Sequence, residues 1–267
     1  MDRTGKGWLP KVLRSCEPNS ELAESLAEDA GTILPEISTT RDYPDRILKH
    51  YGIKRIALEN CFEHCLPPPS RFLEWLIKNP DRMQRKADER SSERTRKCRA
   101  DLFGDNGSTT QKRSVELALA ELRERGTEGS ARKWWAFEGF TEVDCFLETD
   151  RLLLLVEGKR TELLSSATGW YPFRNQLVRN LEVAQEQGHR RDKHFAVMVL
   201  SEDPIAPLTK QEICDSLPHF DAQKRNSLME HYLGNATWKS VCDATGLVFS
   251  DLPGTTADLV ACLRNQD

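Results

Sequence analysis

The stretch LLLLVEGKR, residues 152–160, is the strongest indicator of fold in the chain. Four leucines followed by a valine are typical of a strand that is buried on both faces of a sheet. The run ends in Glu157, Gly158, Lys159 and Arg160, so a carboxylate and an ammonium group directly follow the most apolar segment. Because residues two apart on a strand point to the same face, roughly 7 Å apart, we expect Glu157 and Lys159 to share one face.

A second candidate strand, TEVDCFLETD (141–150), precedes the leucine run and contains Asp144. The dipeptide Asp150-Arg151 predicts a tight turn, and a hairpin at this position would bring Asp144 close to Glu157. Burying two neighbouring carboxylates costs several kcal/mol per ion unless something pairs them. A divalent cation bound by oxygen ligands is a natural compensation for this charge.

Further helical and strand patterns surround these two segments. In chain order they predict a helix, three strands, a second helix and a further strand. The segments are SVELALAELRERG (114–126), KWWAFEG (133–139), TEVDCFLETD (141–150), LLLLVEG (152–158), FRNQLVRNLEVAQEQG (173–188) and HFAVMVLSE (194–202). We assign residues 106–202 to this core, because the polar loop GDNGSTT at its start is typical of a domain boundary.

The region before the core, residues 1–105, is predicted to be helical. The segment DRILKHYGIKRIALENCFEHC (45–65) belongs to this helical pattern, and a basic linker, 82–105, ends the region. Between Arg82 and Arg99 there are eight Lys or Arg against three Asp or Glu. This composition favours a solvated helix or linker over an arm that contacts nucleic acid.

The region after the core, residues 203–267, is predicted to be a helical extension that packs on the core. Its pattern predicts a series of short helices and contains no candidate catalytic residues. The four segments are KQEICDSLPHF (210–220), AQKRNSLMEHYLG (222–234), TWKSVCDATG (237–246) and TTADLVACLRNQ (255–266).

The composition limits the class of protein. The chain has 267 residues and a formal charge of −4, so a nucleic-acid partner would have to be bound by local basic patches. No run of apolar residues approaches the ~18 that a membrane span needs, and the N-terminal segment lacks the apolar core of a signal peptide. Eight scattered cysteines are typical of reduced thiols. We therefore expect a cytoplasmic protein with no membrane partner.

EVD at 142–144 and VEGK at 156–159 resemble the PD-(D/E)XK signature of the restriction-endonuclease-like nuclease superfamily. Val143 occupies the place of the proline in that name. The resemblance extends from Gln111 to about Glu202. It implies an α/β (α+β) fold in which a central mixed sheet is flanked by helices in the order αβββαβ, with the helical N-terminal region and C-terminal extension added to it.

The resemblance also implies a metal site. Asp144 and Glu157 would be ligands to Mg²⁺ or Mn²⁺, and the backbone carbonyl of Gly158 would complete the site. Lys159 would position or activate the attacking water and stabilise the charge that develops on the phosphate. A further acidic ligand is expected from the first helix, where Glu116 is the candidate and Glu121 its rival.

Basic and amide side chains would then hold the nucleic acid. Gln176 and Arg179 lie at i and i+3 on the predicted second helix and would contact a phosphate or support Glu157. The other candidates share a positive charge and a position close in sequence to the proposed site. They are Arg160, Arg174, Arg190 and Arg191.

Together these features predict an Mg²⁺-dependent nuclease that hydrolyses phosphodiester bonds, with DNA favoured as the substrate. One alternative is a protein of nuclease fold that binds nucleic acid without cutting it. Another is a nuclease directed at RNA, since nothing in the sequence separates RNA from DNA.

Overall fold

A computed structural model describes residues 62–84, 91–130, 133–148, 152–160, 162–246 and 248–251. Within these residues the chain is an α/β protein with a five-stranded mixed sheet that is flanked by helices. No helix in the described ranges combines the length and the apolar character needed to cross a membrane.

The strands lie in the sheet in the order in which they occur in the chain, β1-β2-β3-β4-β5. The pairs β1–β2 and β2–β3 are antiparallel, whereas β3–β4 and β4–β5 are parallel. The strands are β1 Phe62–Leu66, β2 Thr141–Glu148, β3 Leu152–Gly158, β4 His194–Ser201 and β5 Tyr232–Thr237. Every residue of β3 is buried, as the run of leucines predicts for a central strand.

Seven α-helices are described, and six of them begin at a side chain that caps the helix. The capping residues Ser92, Ser108, Asn175, Thr209, Asp221 and Thr237 each accept a hydrogen bond from a backbone N–H of the first turn. The helices are α1 Ser70–Lys78, α2 Glu93–Leu102, α3 Thr109–Arg125, α4 Gln176–Arg191, α5 Lys210–Ser216, α6 Ala222–Met229 and α7 Trp238–Thr245. Short 3₁₀ turns lie at Pro80–Arg82, Glu128–Ser130 and Phe249–Asp251.

Two hydrophobic cores can be described from residues in the described ranges. The first core lies between the sheet and α4, and includes Leu153, Leu155, Val178 and Val197. The second is aromatic and is formed by α1, α2, α3 and the segment that precedes β2. The three helices α1 to α3 are an insertion between the adjacent strands β1 and β2. The insertion therefore has a core of its own.

The prediction of a strand at KWWAFEG is wrong, because residues 133–140 form turns and irregular backbone. Aromatic residues favour strands in general, but here Trp134 and Trp135 are buried in the aromatic core. Both indole N–H groups donate to Glu121 on α3, at 3.3 and 2.8 Å. The side chains that suggested a strand instead attach this segment to the helical insertion.

The third antiparallel strand is β1, in the segment that was predicted to be helical. The prediction of helix for Phe62–Leu66 is wrong, and so is the extension of a helix to Gly234, because α6 ends at Met229 and β5 follows. Among the described strands, both are short and lie at the edges of the sheet, where each pairs with one neighbour. The sheet therefore takes strands from all three predicted segments, 1–105, 106–202 and 203–267. The helix predicted at 255–266 lies outside the described residues.

Candidate functional site

The antiparallel pair β2–β3 brings two acidic residues together at one end of the sheet. Cys145 lies opposite Val156, and continuing this register by one residue makes Asp144 face Glu157. Directly opposed Cα atoms in such a pair are about 4.5–5.5 Å apart. The Asp144 carboxylate also accepts a hydrogen bond from the N–H of Gly158, at 2.8 Å. The residues of the predicted tight turn, 149–151, lie outside the described ranges.

The Glu157 carboxylate is held by three donors. Its Oε1 atom accepts from Gln176 Nε2 at 2.6 Å and lies 2.9 Å from Lys159 Nζ. Its Oε2 atom accepts from Asn180 Nδ2 at 3.0 Å. Gln176 and Asn180 are one turn apart on α4, so the beginning of this helix contacts both oxygens of the carboxylate.

The start of α4 is fixed by hydrogen bonds of its own. The Asn175 side chain caps the helix through the N–H of Leu177, and its backbone N–H donates to Ser216 Oγ. Ser165 exchanges two bonds with Gln176: it accepts from the Gln176 N–H at 2.7 Å and donates its own N–H to Oε1 at 3.2 Å. Because Oε1 of Gln176 is used as an acceptor, its Nε2 is the atom that faces Glu157.

Burial dominates the electrostatics of the site. Only 3% of Glu157 is exposed, and burial together with the negative charge of Asp144 raises its pKa to about 7. The positive charge of Lys159 and the bond from Asn180 act in the opposite direction but do not outweigh burial. Without a cation, the Glu157 carboxyl group therefore holds its proton to a higher pH than an exposed glutamate does.

Asn180 is a site residue that the sequence analysis missed. It is buried, and its Oδ1 atom has no hydrogen-bond partner in the described part of the chain. Such an amide suits a carboxyl group that titrates near neutrality, because Nδ2 donates to the carboxylate and a flipped amide would accept from the protonated acid. The i, i+4 spacing from Gln176 is the sequence signal that could have identified it.

Lys159 is buried beside Glu157, and both its backbone N–H and its carbonyl group form hydrogen bonds. Its N–H donates to the carbonyl of Leu200 at 2.7 Å, and its own carbonyl accepts from Trp238 Nε1 at 2.6 Å. Trp238 is completely buried at the start of α7. It too was missed, since the helical pattern of the C-terminal segment gave no indication that it contacts this strand.

The oxygen donors of the site are suited to a hard cation. Each carboxylate oxygen has two lone-pair directions, and Glu157 Oε2 uses one of them for Asn180. Asp144 and Glu157 together provide two carboxylates, the ligand type that Mg²⁺ and Mn²⁺ prefer. Within the described residues, however, no group of three or more His, Cys, Asp or Glu side chains is arranged to bind a metal ion.

Glu116 and Glu121 do not supply the third acid. Both lie on α3, which packs against α1 and α2 in the insertion. Glu116 is exposed, and Glu121 is used by the two indole groups described above. The expected acidic helix precedes the first strand of the sheet, whereas α3 follows the first strand, β1. Any helix before β1 would lie in residues 1–61, which are outside the described ranges.

Arg179 and Arg174 are engaged inside the protein. Arg179 donates to the carbonyls of Gly139 and Phe140 at 2.8 and 2.9 Å, and so supports the segment that leads into β2. Arg174 is fully buried, and its guanidinium group pairs with Glu138 at 2.8 Å and with Glu182 at 2.7 Å. The expected phosphate contact of Arg174 is wrong, because its guanidinium group has no surface exposed to a ligand.

Arg174 is the centre of a buried ion network. Burial alone would lower its pKa, but Glu138 and Glu182 outweigh burial and raise it. Glu182 also contacts His219 Nε2 at 2.6 Å, and the guanidinium group lies over the ring of Phe72 at 3.7 Å. The network therefore joins α1, α4 and the segment before β2, beneath the residues that contact Glu157.

The other candidate arginines also have partners within the protein. Arg160 is buried, with its Nε 3.5 Å from a carboxylate oxygen of Glu202. Arg190 and Arg191 are at the far end of α4, and a rise of 1.5 Å per residue puts Arg190 about 21 Å from Gln176. Their partners are acidic, amide and hydroxyl groups of that end of the molecule, namely Glu128, Glu148, Glu186, Gln187 and Thr127.

Comparison of the chain with models of protein families, with curated proteins and with solved structures finds no match. The site is thus defined by its own geometry. It consists of the buried carboxylates Asp144 and Glu157 on neighbouring strands, a buried ammonium group from Lys159, and the two amides of Gln176 and Asn180 on the helix that begins beside them.

Proposed function

We propose that this chain is a metal-dependent nuclease of the PD-(D/E)XK class that hydrolyses phosphodiester bonds in DNA. The observation that carries the proposal is the meeting of Asp144, Glu157 and Lys159 at the end of a buried central strand. Three antiparallel strands, a helix and a further parallel strand are also compatible with the αβββαβ arrangement expected for this class.

The carboxylates fit a divalent cation. Asp144 and Glu157 would bind it together with the carbonyl of Gly158, and water would complete the coordination. When bound, such a cation stabilises the charge that develops on the phosphate oxygens during displacement. The raised pKa of Glu157 supports this assignment, since a buried acid next to a second carboxylate gains most from a positive charge nearby.

The protein groups have separate roles in the proposed reaction. Gln176 and Asn180 fix the direction of the Glu157 carboxylate, so the ligand is ordered before substrate arrives. Lys159 has a compact ammonium group within 2.9 Å of that carboxylate, and it would orient the attacking water and stabilise charge on the phosphate. Arg179 maintains the segment that leads to Asp144.

Incubation of the purified chain with linear, nicked and single-stranded DNA, and with RNA of the same sequence, tests the proposal. We expect cleavage of DNA with Mg²⁺ or Mn²⁺ and none with EDTA. Asp144→Asn should abolish cleavage. Glu148→Gln, which removes an exposed carboxylate at the other end of the same strand, should retain it. Intact DNA under every metal condition would refute the proposal, and cleavage of RNA alone would replace DNA as the substrate.

A further inference from the structure

Helix α2 has a surface of unusual charge for a protein whose net charge is −4. Its ten residues, Glu93–Leu102, include four basic and two acidic side chains. The side of the helix that faces the insertion contains Thr95, Cys98, Arg99 and Leu102, of which Leu102 is fully buried. The outward side presents Arg94, Arg96 and Lys97, all of which are exposed.

Within the described ranges, these three cations have no acidic partner. No carboxylate of the described residues lies within ion-pair distance of Arg94, Arg96 or Lys97, although Glu93 and Asp101 are on the same helix one turn from Lys97. Arg190 and Arg191 are different in this respect, because each has an acidic partner. The outward side of α2 is therefore an uncompensated positive surface.

Helix α2 is attached to the segment that connects the two halves of the candidate site. Arg99 Nε donates to the carbonyl of Trp134 at 2.7 Å, and its guanidinium group lies 4.8 Å from the ring centre of Trp170. Phe103, just after the helix, stacks on Trp170 with the ring centres 6.0 Å apart. Trp170 belongs to the segment between Lys159 and Gln176. The helix that carries the basic surface therefore packs against the segment that links β3 to α4.

We propose that the outward side of α2, formed by Arg94, Arg96 and Lys97, binds the phosphate backbone of duplex DNA outside the candidate site. This inference rests on the proposed function and names a substrate-holding surface for it. The surface contains no exposed aromatic or large aliphatic side chain, whereas the centre of a protein–protein interface is usually apolar. A polyanion is the partner that this chemistry fits.

The dimensions of the helix agree with such a contact. Ten residues extend about 15 Å, and duplex DNA carries one negative charge per about 1.7 Å of its axis. A duplex of that length carries about nine phosphates on its two strands together, so those on the side facing α2 are enough to contact the three cations. Binding of this kind is driven by the release of counterions, so its affinity falls with salt concentration in proportion to the number of phosphates neutralised.

The test compares two double variants that lose the same charge. Arg94→Gln with Lys97→Gln removes two cations from the proposed surface, and glutamine preserves the helical preference of these positions. Lys210→Gln with Lys224→Gln removes two exposed cations from α5 and α6 as a matched control. The affinity of the full chain for a short duplex is measured by fluorescence anisotropy in EDTA, over a series of NaCl concentrations. Thermal melts establish that both variants are folded.

We expect the slope of log affinity against log salt to decrease in magnitude by about 1.8 for the α2 variant, and to stay unchanged for the control. Equal slopes for the two variants would overturn the inference. It would also be overturned if the α2 variant lost as much affinity for polyglutamate as for DNA. Cleavage assays with Mg²⁺ on the same proteins separate it from the proposed function. If the proteins cleave DNA but the α2 variant has an unaltered salt slope, the role of α2 is refuted and the nuclease assignment stands. If the slope of the α2 variant is altered but no protein cleaves DNA, the nuclease assignment is refuted and the role of α2 in binding stands.

Discussion

Replacement of Glu157 by glutamine should change how the stability of the protein depends on pH. In the folded protein the pKa of Glu157 is raised from 4.5 to about 7, chiefly by burial and then by Asp144. An acid whose pKa is higher in the folded state than in the unfolded state binds more protons when folded between these two values. The contribution of Glu157 to the free energy of unfolding is therefore greatest below pH 4.5, and it is lost as the pH rises through 7.

The magnitude follows from the size of the rise. Each pKa unit corresponds to 1.36 kcal/mol, so the ionisation of Glu157 lowers the free energy of unfolding by about 3 kcal/mol between pH 4 and pH 8. Glu157→Gln removes this group and should remove that slope. The attraction between Lys159 and the ionised carboxylate already lowers the pKa of Glu157, so losing it in the variant is part of the same pH dependence and adds no second slope.

Urea unfolding at pH 4 and pH 8, in EDTA, measures the difference directly. Glu116→Gln provides the matched control, because this exposed carboxylate on α3 should leave the pH dependence as it is. With Mg²⁺ the parental protein should regain stability at pH 8, and Glu157→Gln should not. A parental slope that persists unchanged in Glu157→Gln would refute the reasoning, since another group would then have to be the source.

Three further substitutions have defined outcomes. Lys159→Ala should bind DNA and metal but lose turnover by about 10²–10³-fold in single-turnover cleavage, and arginine at this position should not restore it. Asn180→Ala should raise the pKa of Glu157 further, because the hydrogen bond that is lost favours the ionised carboxylate. Calorimetry should therefore show that the Mg²⁺ affinity of this variant increases at a higher pH than that of the parental protein. Arg174→Met should cost about 3–5 kcal/mol in urea unfolding by stranding two buried carboxylates, whereas Arg190→Gln should cost about 0.5 kcal/mol or less.

The centre of the sheet could be predicted from sequence because its signals are local. A run of leucines specifies a strand buried on both faces, and a short turn specifies which strand pairs with it. These two facts bring Asp144 and Glu157 together without any knowledge of the rest of the chain. The helix α4 could also be recognised from its apolar residues at helical spacing, although it begins at Gln176, three residues after the predicted start at Phe173.

The edges of the sheet could not be predicted, because their pairing is not local. β1 ends at Leu66 and its partner β2 begins at Thr141, and no pattern within either segment records that they meet. A strand that pairs on one side only also has a weak alternation of apolar and polar residues. The helix that carries Glu116 follows β1 in the chain and belongs to the insertion, so it is not the helix that precedes the first strand of the sheet.

The arginine assignments failed for a different reason. Residues that are close in sequence can lie far apart in space: the 16-residue helix α4 separates its first and last residues by more than 20 Å, at about 1.5 Å per residue. Burial is equally invisible in the sequence at Arg174, where a charged side chain occupies the interior with two carboxylates. Positive charge alone does not distinguish a ligand contact from a structural ion pair.

The insertion between β1 and β2 also has a consequence for the order in which the sheet assembles. The β2–β3 hairpin closes across a few residues, whereas β1 can join only after a loop of about 75 residues has closed, which costs about 3 kcal/mol more chain entropy. Nucleation is therefore expected at the hairpin, with β1 docking late. In the folded protein β1 is then the strand whose amide protons should exchange first with solvent, while the hairpin that unites the two carboxylates remains protected.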